Sequence, residues 1–247
     1  SIPDSDEEPE KYLTSHIIRT TIIALALSEF LKFPPHKQIE LGLAALFHEI
    51  GMTRIPESIY MSNRPLSEKE RQAITAHPIL GFKMLKEANF PPSIYLAILE
   101  HHENIDGTGY PRRITGDKIS TYGKILSVAC AYEAATSKRP YRDGQDGHSG
   151  IMDLLKELNK RYDDKVLRAL VYTLSIYPIG TYVLLSNNAQ GYVVKTDPQN
   201  PKYPTVRLII NEKGAPYIDQ PILQIREGDP IQIVRPLTKE EVKEIKK

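Results

Sequence analysis

The segment His101-His102-Glu103-Asn104-Ile105-Asp106-Gly107-Thr108-Gly109-Tyr110-Pro111 restricts most strongly what this chain can fold into. Two adjacent imidazoles end a short apolar run, residues 94–99, which opens with Pro91-Pro92-Ser93 and reads as a helix with a serine cap. A loop must follow, because Asp-Gly and Gly-Tyr-Pro demand turns: glycine supplies positive φ, and proline fixes its own φ and lacks a donor. Standing alone, paired histidines at a helix end read as a polar C-cap suited to the helix dipole. They do not stand alone. His16, His48 and His77 also fall on helical stretches, so five of the seven histidines share that context. Neutral imidazole is the commonest protein metal ligand, and a carboxylate such as Glu49 beside His48 can bridge two divalent ions. A metal site accounts for this pattern better than five separately satisfied core histidines.

The periodicity predicts mainly α structure. Residues 11–32 read as a helix in which His16, Thr20, Ile23, Leu27 and Phe30 form an inward stripe. A second helix, residues 36–50, is expected to bury Ile39, Leu43, Leu46 and Ile50 and to stop at Gly51 as a C-cap, leaving His48 and Glu49 in its last turn. Glu49 is then either an exposed helix-end carboxylate or a buried one that demands a cation. Residues 52–66 are a connection. Ser67-Glu68-Lys69-Glu70 is a capping box, and Pro78 opens a further helix through Leu85, which leaves His77 at a junction. Thr121–Thr136 reads as a helix with Cys130 and Glu133 three apart on one face. Arg139 and Arg142 follow in a basic loop; such a loop is by default solvated, while its guanidinium forks suit phosphate oxygens. Residues 151–159 and 165–174 give two more amphipathic helices, and His36 and His148 read as surface residues.

From Tyr177-Pro178-Ile179-Gly180 the pattern changes to short β-branched and aromatic runs, residues 181–185, 191–195 and 205–210, with 231–234 as a last strand. The expected organisation is therefore an acidic linker (1–10), a helical domain (11–176), a small C-terminal β-rich extension (177–237) and a charged tail (238–247). Basic and acidic side chains number 32 and 31, a net charge of +1, which implies no broad basic face for DNA. Cys130 is the only cysteine, which excludes an internal disulfide and fits a reducing, cytoplasmic setting. No apolar run reaches the roughly 20 residues of a membrane span.

His48-Glu49-Ile50-Gly51, His77-Pro78, His101-His102-Glu103 with Asp106 to Pro111, residues 125–134 and Arg139-Pro140-Tyr141-Arg142 together resemble the HD-GYP domain, a branch of the HD metal-dependent phosphohydrolases. The resemblance covers residues 13–175. It implies an HD-type helical bundle that hydrolyses cyclic di-GMP to pGpG or GMP in bacterial second-messenger signalling. It also implies a metal shell of His16, His48, Glu49, His77, His101 and His102, two divalent ions (iron or manganese, with zinc as the alternative), and substrate contacts from Tyr110, Arg139 and Arg142. Asp106 is expected behind a histidine, and Glu49 and Asp106 are the expected catalytic carboxylates. A sensor or receiver domain and a second copy of the chain are partners the resemblance admits. The chain departs from the family at Glu49, where Asp is usual, at Met52, where Lys is usual, and at Cys130, where a ligand Asp is usual. Cys130 is then a thiolate ligand or a small buried residue. Tyr12 stands where some members carry an additional Glu, which argues against a third metal. A module that binds cyclic di-GMP, metal or a protein partner without turnover is the alternative reading, and hydrolysis of another nucleotide phosphoester is a third.

Overall fold

A computed structural model of the chain describes residues 12–62, 64–137 and 144–245. Its backbone packing forms two units, Ser1–Gln145 with Met152–Ala169, and Asp146–Ile151 with Leu170–Lys247.

The first unit is helical: α1 (Tyr12–Phe30), α2 (Pro35–Phe47), α3 (Glu57–Tyr60), α4 (Glu68–Thr75), α5 (His77–Glu87), α6 (Pro92–Glu100) and α7 (Thr121–Thr136) follow in order. α8 (Gly147–Lys156) and α9 (Asp164–Leu174) each include residues of both units. α1 packs on α2 and α7, and α6 packs on α2, α5 and α7. Leu27, Leu41, Ile94, Ile98, Ile125 and Leu126 are fully buried where these helices meet. Each such side chain contributes about 1.5–3 kcal/mol. That burial, more than intrinsic propensity, keeps the β-branched sequence of α1 helical.

The inward stripe of α1 holds for His16, Thr20, Ile23 and Leu27, whereas Phe30 in the last turn is exposed. α2 differs more. Ile39 is 64% and Leu46 46% exposed, and the buried side is Leu41, Gly42, Ala44 and Ala45. Small residues let α2 approach its neighbours closely, so its stripe of large apolar side chains marks the outward face. α2 ends at Phe47, and Gly51 is not its cap. Gly51 lies in a 3-10 turn, Ile50–Arg54, where a Cβ would come within 2.0 Å of the His77 carbonyl oxygen. Glycine is required there because the turn rests on α5. Ser93 does not cap α6: Pro91 holds the cap position, Pro92 opens the helix, and Ser93 donates to Glu40 Oε2 at 2.9 Å. The capping box of α4 is present, with Glu70 N donating to Ser67 Oγ at 3.3 Å and Ser67 N to Glu70 Oε2 at 2.8 Å. α8 begins before the apolar run from which it was expected, because Asp146 Oδ1 accepts from Ser149 N at 3.0 Å and caps it.

The second unit is built on an antiparallel sheet of β1 (Tyr182–Leu185), β2 (Gln190–Lys195), β3 (Thr205–Ile210), β4 (Ile222–Gln224) and β5 (Ile233–Pro236), in the order β4-β3-β2-β1-β5. Val183, Leu185, Val193 and Val206 alternate inward and pack with Ala189 and Ile225. β4 was not expected, being only three residues long with no buried alternation. Residues 239–245 are not merely a charged tail but helix α10 (Lys239–Ile245), opened by a Thr-x-x-Glu box in which Thr238 N donates to Glu241 Oε2 at 2.7 Å. His148 is half-buried and not a free surface side chain: its Nδ1 donates to Ile176 O at 2.8 Å and its ring stacks on Tyr177 at 4.9 Å. The acidic segment 1–10 lies outside the described residues. No helix among the described residues is long and apolar enough to cross a membrane.

Candidate metal centre

His48, His77 and His101 are aimed by one shared device. Each places Nδ1 on the carbonyl oxygen three residues back, Ala45 at 2.7 Å, Ile74 at 2.8 Å and Ile98 at 2.6 Å. A carbonyl only accepts, so each Nδ1 carries a proton, and in the neutral ring Nε2 is the lone pair that a metal would take. The three helix ends thereby become three oriented donors. His48 Nε2 lies 3.2 Å from His16 Nε2, and His77 Nε2 lies 3.2 Å from His101 Nε2. His16, in the middle of α1, is turned by Glu133 of α7, whose carboxylate holds its Nδ1. Cys130, three residues before Glu133, brings Sγ to 3.6 Å from His16 Nε2.

Glu49 stands between the two pairs. Its Oε1 is 3.7 Å from His16 Nε2 and 3.8 Å from His48 Nε2, while Oε2 is 3.5 Å from His77 Nε2. The side chain is buried, and Oε2 has no hydrogen-bond partner. A buried acceptor left unsatisfied costs about 1–3 kcal/mol, more when charged, and lone pairs that face one another repel. Cations relieve both. The donors form two groups, Glu49 with His77, His101 and His102, and His16 with His48 and Cys130, the atoms of each lying within 4.8 Å of one another. These clusters are able to hold divalent metal, with Glu49 offering one oxygen to each.

Burial, reinforced by neighbouring imidazoles, pushes His101 well down and His102 to about 3, which keeps both as neutral donors. For Glu49, burial works upward, but His77, His16 and His48 outweigh it and hold the carboxyl well below its usual range. Burial likewise opposes the charged forms of His16 and Cys130. Their mutual attraction, helped at His16 by Glu133 and Glu49, raises His16 and brings Cys130 down to about 7.

The loop after α6 closes over this cluster. Tyr110 N donates to His102 O at 3.1 Å, and the Tyr110 ring stacks on the His102 ring at 4.8 Å, followed by a cis Tyr110–Pro111 bond. Gly109 is required because a Cβ would lie 2.3 Å from Asn104 N. Buried Glu103 ties the loop down, accepting from Arg112 N at 2.6 Å and Ile114 N at 3.2 Å. Glu100 accepts from Ser120 N at 2.7 Å and pairs with Arg112. Asp106 is not behind a histidine. It is exposed, and its Oδ1 accepts from Thr108 N at 2.9 Å and Thr108 Oγ1 at 2.7 Å, so it shapes the loop instead.

The cluster floors a cleft of about 850 Å³ whose wall includes Tyr12, Met52, Arg64, Tyr110, Arg161 and Tyr162. Arg64 is held by Glu70 through two bonds of 3.0 and 2.6 Å. The Arg161 guanidinium lies 5.5 Å over the Tyr162 ring, and its Nε is 3.5 Å from Asn104 Oδ1. Arg139 and Arg142 lie outside the described residues. The structure thus brings together His16, His48, Glu49, His77, His101, His102 and Cys130, with Tyr110 over them. Sequence reasoning missed the anchoring roles of Glu100, Glu103 and Glu133 and the place of Arg161. Glu133 alone carried a signal, its three-residue offset from Cys130.

A family profile described as "HD domain" matches residues 6–166, and one described as "KOW domain associated with HD domain" matches residues 182–245. A cyclic di-GMP phosphodiesterase of Borreliella burgdorferi is 33% identical over 209 residues, covering 85% of this chain and 55% of that protein. Another from Pseudomonas aeruginosa is 30% identical over 227 residues, covering 91% of this chain and 55% of that protein. The chain spans about half the length of these relatives. Among solved structures, an HDG"Y"P protein of Bdellovibrio bacteriovorus aligns with a TM-score of 0.56 at 21% identity, covering 66% of this chain and 53% of that one, a likeness of fold.

Proposed function

Since the chain belongs to the HD domain family, we propose that it is a metal-dependent phosphodiesterase of the HD-GYP type that hydrolyses cyclic di-GMP to pGpG or GMP. The observation that carries this reading is the donor cluster, with its shared buried carboxylate, at the floor of a cleft large enough for a dinucleotide. When bound, the ions supply Lewis acidity at a phosphoryl oxygen and a nucleophilic water near neutral pH. His48, His77, His101, His102, His16 and Glu49 hold that charge, and we take iron or manganese as its source wherever the donors are nitrogen and oxygen alone. Tyr110, fixed on His102, offers a flat face for a base, and Arg161 offers a cation to the phosphodiester. Arg139 and Arg142 belong to the same proposal as phosphate contacts. Glu49 is held ionised among imidazoles, with its carboxyl well below the usual range, so its part is to hold the ions and not to act as a free base.

One observation favours a second reading, binding without turnover. Met52, on the wall of the cleft, cannot give a proton to the leaving ribose oxygen. Elemental analysis of anaerobically prepared protein, with cyclic di-GMP turnover followed on the same sample, separates the two. Roughly two ions per chain with pGpG appearing supports the enzyme, and bound metal with nucleotide retained but no product supports the receptor. His101→Ala is expected to lose both metal and turnover, and unchanged turnover in that variant removes the site assignment.

A further inference from the structure

Resting on the metal-binding part of that reading and not on turnover, we propose that the two halves of this centre are chemically unequal. The half made by His16, His48 and Cys130 is a thiolate site that prefers a soft tetrahedral ion, zinc above all, while the half made by His77, His101 and His102 takes the harder ion.

The donors divide this way on the page. On one side stand His16 Nε2, His48 Nε2 and Cys130 Sγ with Glu49 Oε1, four atoms including a sulfur; on the other stand three imidazoles with Glu49 Oε2 and no sulfur. Zinc–nitrogen bonds of about 2.05 Å and a zinc–sulfur bond of about 2.3 Å at tetrahedral angles separate two nitrogens by about 3.3 Å and nitrogen from sulfur by about 3.6 Å. The observed separations are 3.2 Å for His16 to His48 and 3.6 Å for His16 to Cys130. Glu49 Oε1, at 3.7 and 3.8 Å from the two nitrogens, needs to move in by only a few tenths of an ångström to complete the set. Cys130 Sγ and a ring nitrogen from each of His16 and His48 lie within 4.8 Å of one another, close enough to share one ion. Thiolate is the donor that selects zinc over manganese, whereas imidazole and carboxylate alone leave room for iron or manganese. The sulfur-free half is thus where the harder ion goes.

Cobalt(II) added to the metal-free full chain reports the sulfur directly. Of two equivalents bound, one is expected to give an intense thiolate-to-cobalt charge-transfer band in the near ultraviolet, and zinc is expected to displace that equivalent first. Cys130→Asp is expected to keep two ions yet lose the band, and its preference for zinc over manganese at that half to fall by at least about tenfold. His77→Ala, on the other half, is expected to keep the band. Two cobalt ions bound to the wild-type chain without a sulfur band, or a band that survives Cys130→Asp, overturns the inference while leaving the metal reading intact. A chain that binds no ion overturns both.

Discussion

At the scale of single residues, the cleft combines two side chains of opposite promise. Met52 is buried to 6% exposure in the turn beside the donors, and its thioether can neither give a proton nor hold a phosphate. If turnover is limited there, Met52→Lys should raise kcat by roughly 10²-fold, the lower end of what a positioned general acid supplies. Metal content should stay unchanged. A kcat that does not move would mean the leaving oxygen finds its proton elsewhere. Arg161 is the contrary case, a cation on the cleft wall whose guanidinium lies over the Tyr162 ring and makes a long hydrogen bond to Asn104. Hydrogen bonds to charged groups contribute about 1.5–3 kcal/mol. Arg161→Ala is therefore expected to raise KM for cyclic di-GMP by about tenfold or more with kcat little changed, and a fall in kcat at constant KM would place its contact in the transition state instead.

At the scale of elements, the centre depends on where helices stop. His48 and His101 follow the last residues of α2 and α6, and His77 opens α5, so an error of one residue in a boundary would turn a donor away. α4 leads directly into that junction, and its capping box is exposed and local. Ser67→Ala should cost about 1 kcal/mol, read as a lower denaturant midpoint at unchanged m-value; an unchanged midpoint would show that α5 alone holds the junction. Signals of this local kind were legible from the sequence: the capping box, the bounds of α7, and the five histidines on helical stretches. What escaped has a physical pattern. Ser93 was misplaced because two prolines before it shift the start of α6. The faces of α2 were inverted because Gly42, Ala44 and Ala45 bury closely while Ile39 and Leu46 stay outside, and large apolar side chains dominate any periodicity. β4 is too short to alternate. Asp106 was placed behind a histidine on resemblance, yet its own Asx contacts with Thr108 win, since a short acidic side chain bonds nearby backbone first. Glu133 reaches His16 across 117 positions, a contact no local pattern encodes.

At the scale of the whole molecule, the metal is expected to be part of the folding free energy of one unit. The donors come from α1, the turn after α2, α5, the end of α6 and α7, so the ions tie together segments that otherwise meet through apolar packing and scattered polar contacts such as Ser93 with Glu40 and His16 with Glu133. Without them, ring nitrogens crowded to 3.2 Å and a carboxylate oxygen with no hydrogen bond sit at the centre of the bundle. A ligand that binds only the folded state stabilises it by about 2.7 kcal/mol at 100 times its Kd, and ligands that must be deprotonated and assembled make the apparent effect larger near neutral pH. The sheet β1 to β5 supplies none of these donors. Hydrogen exchange on metal-free and metal-loaded protein should therefore show amides of α1, α2, α5, α6 and α7 gaining protection of about a hundredfold from an ion at that excess, while amides of the sheet change little. Because exchange protection reports local opening free energies, a uniform gain across both units would show that the chain opens as one cooperative body. A gain confined to the loop after α6 would mean that the bundle is already rigid and the ions merely order its mouth.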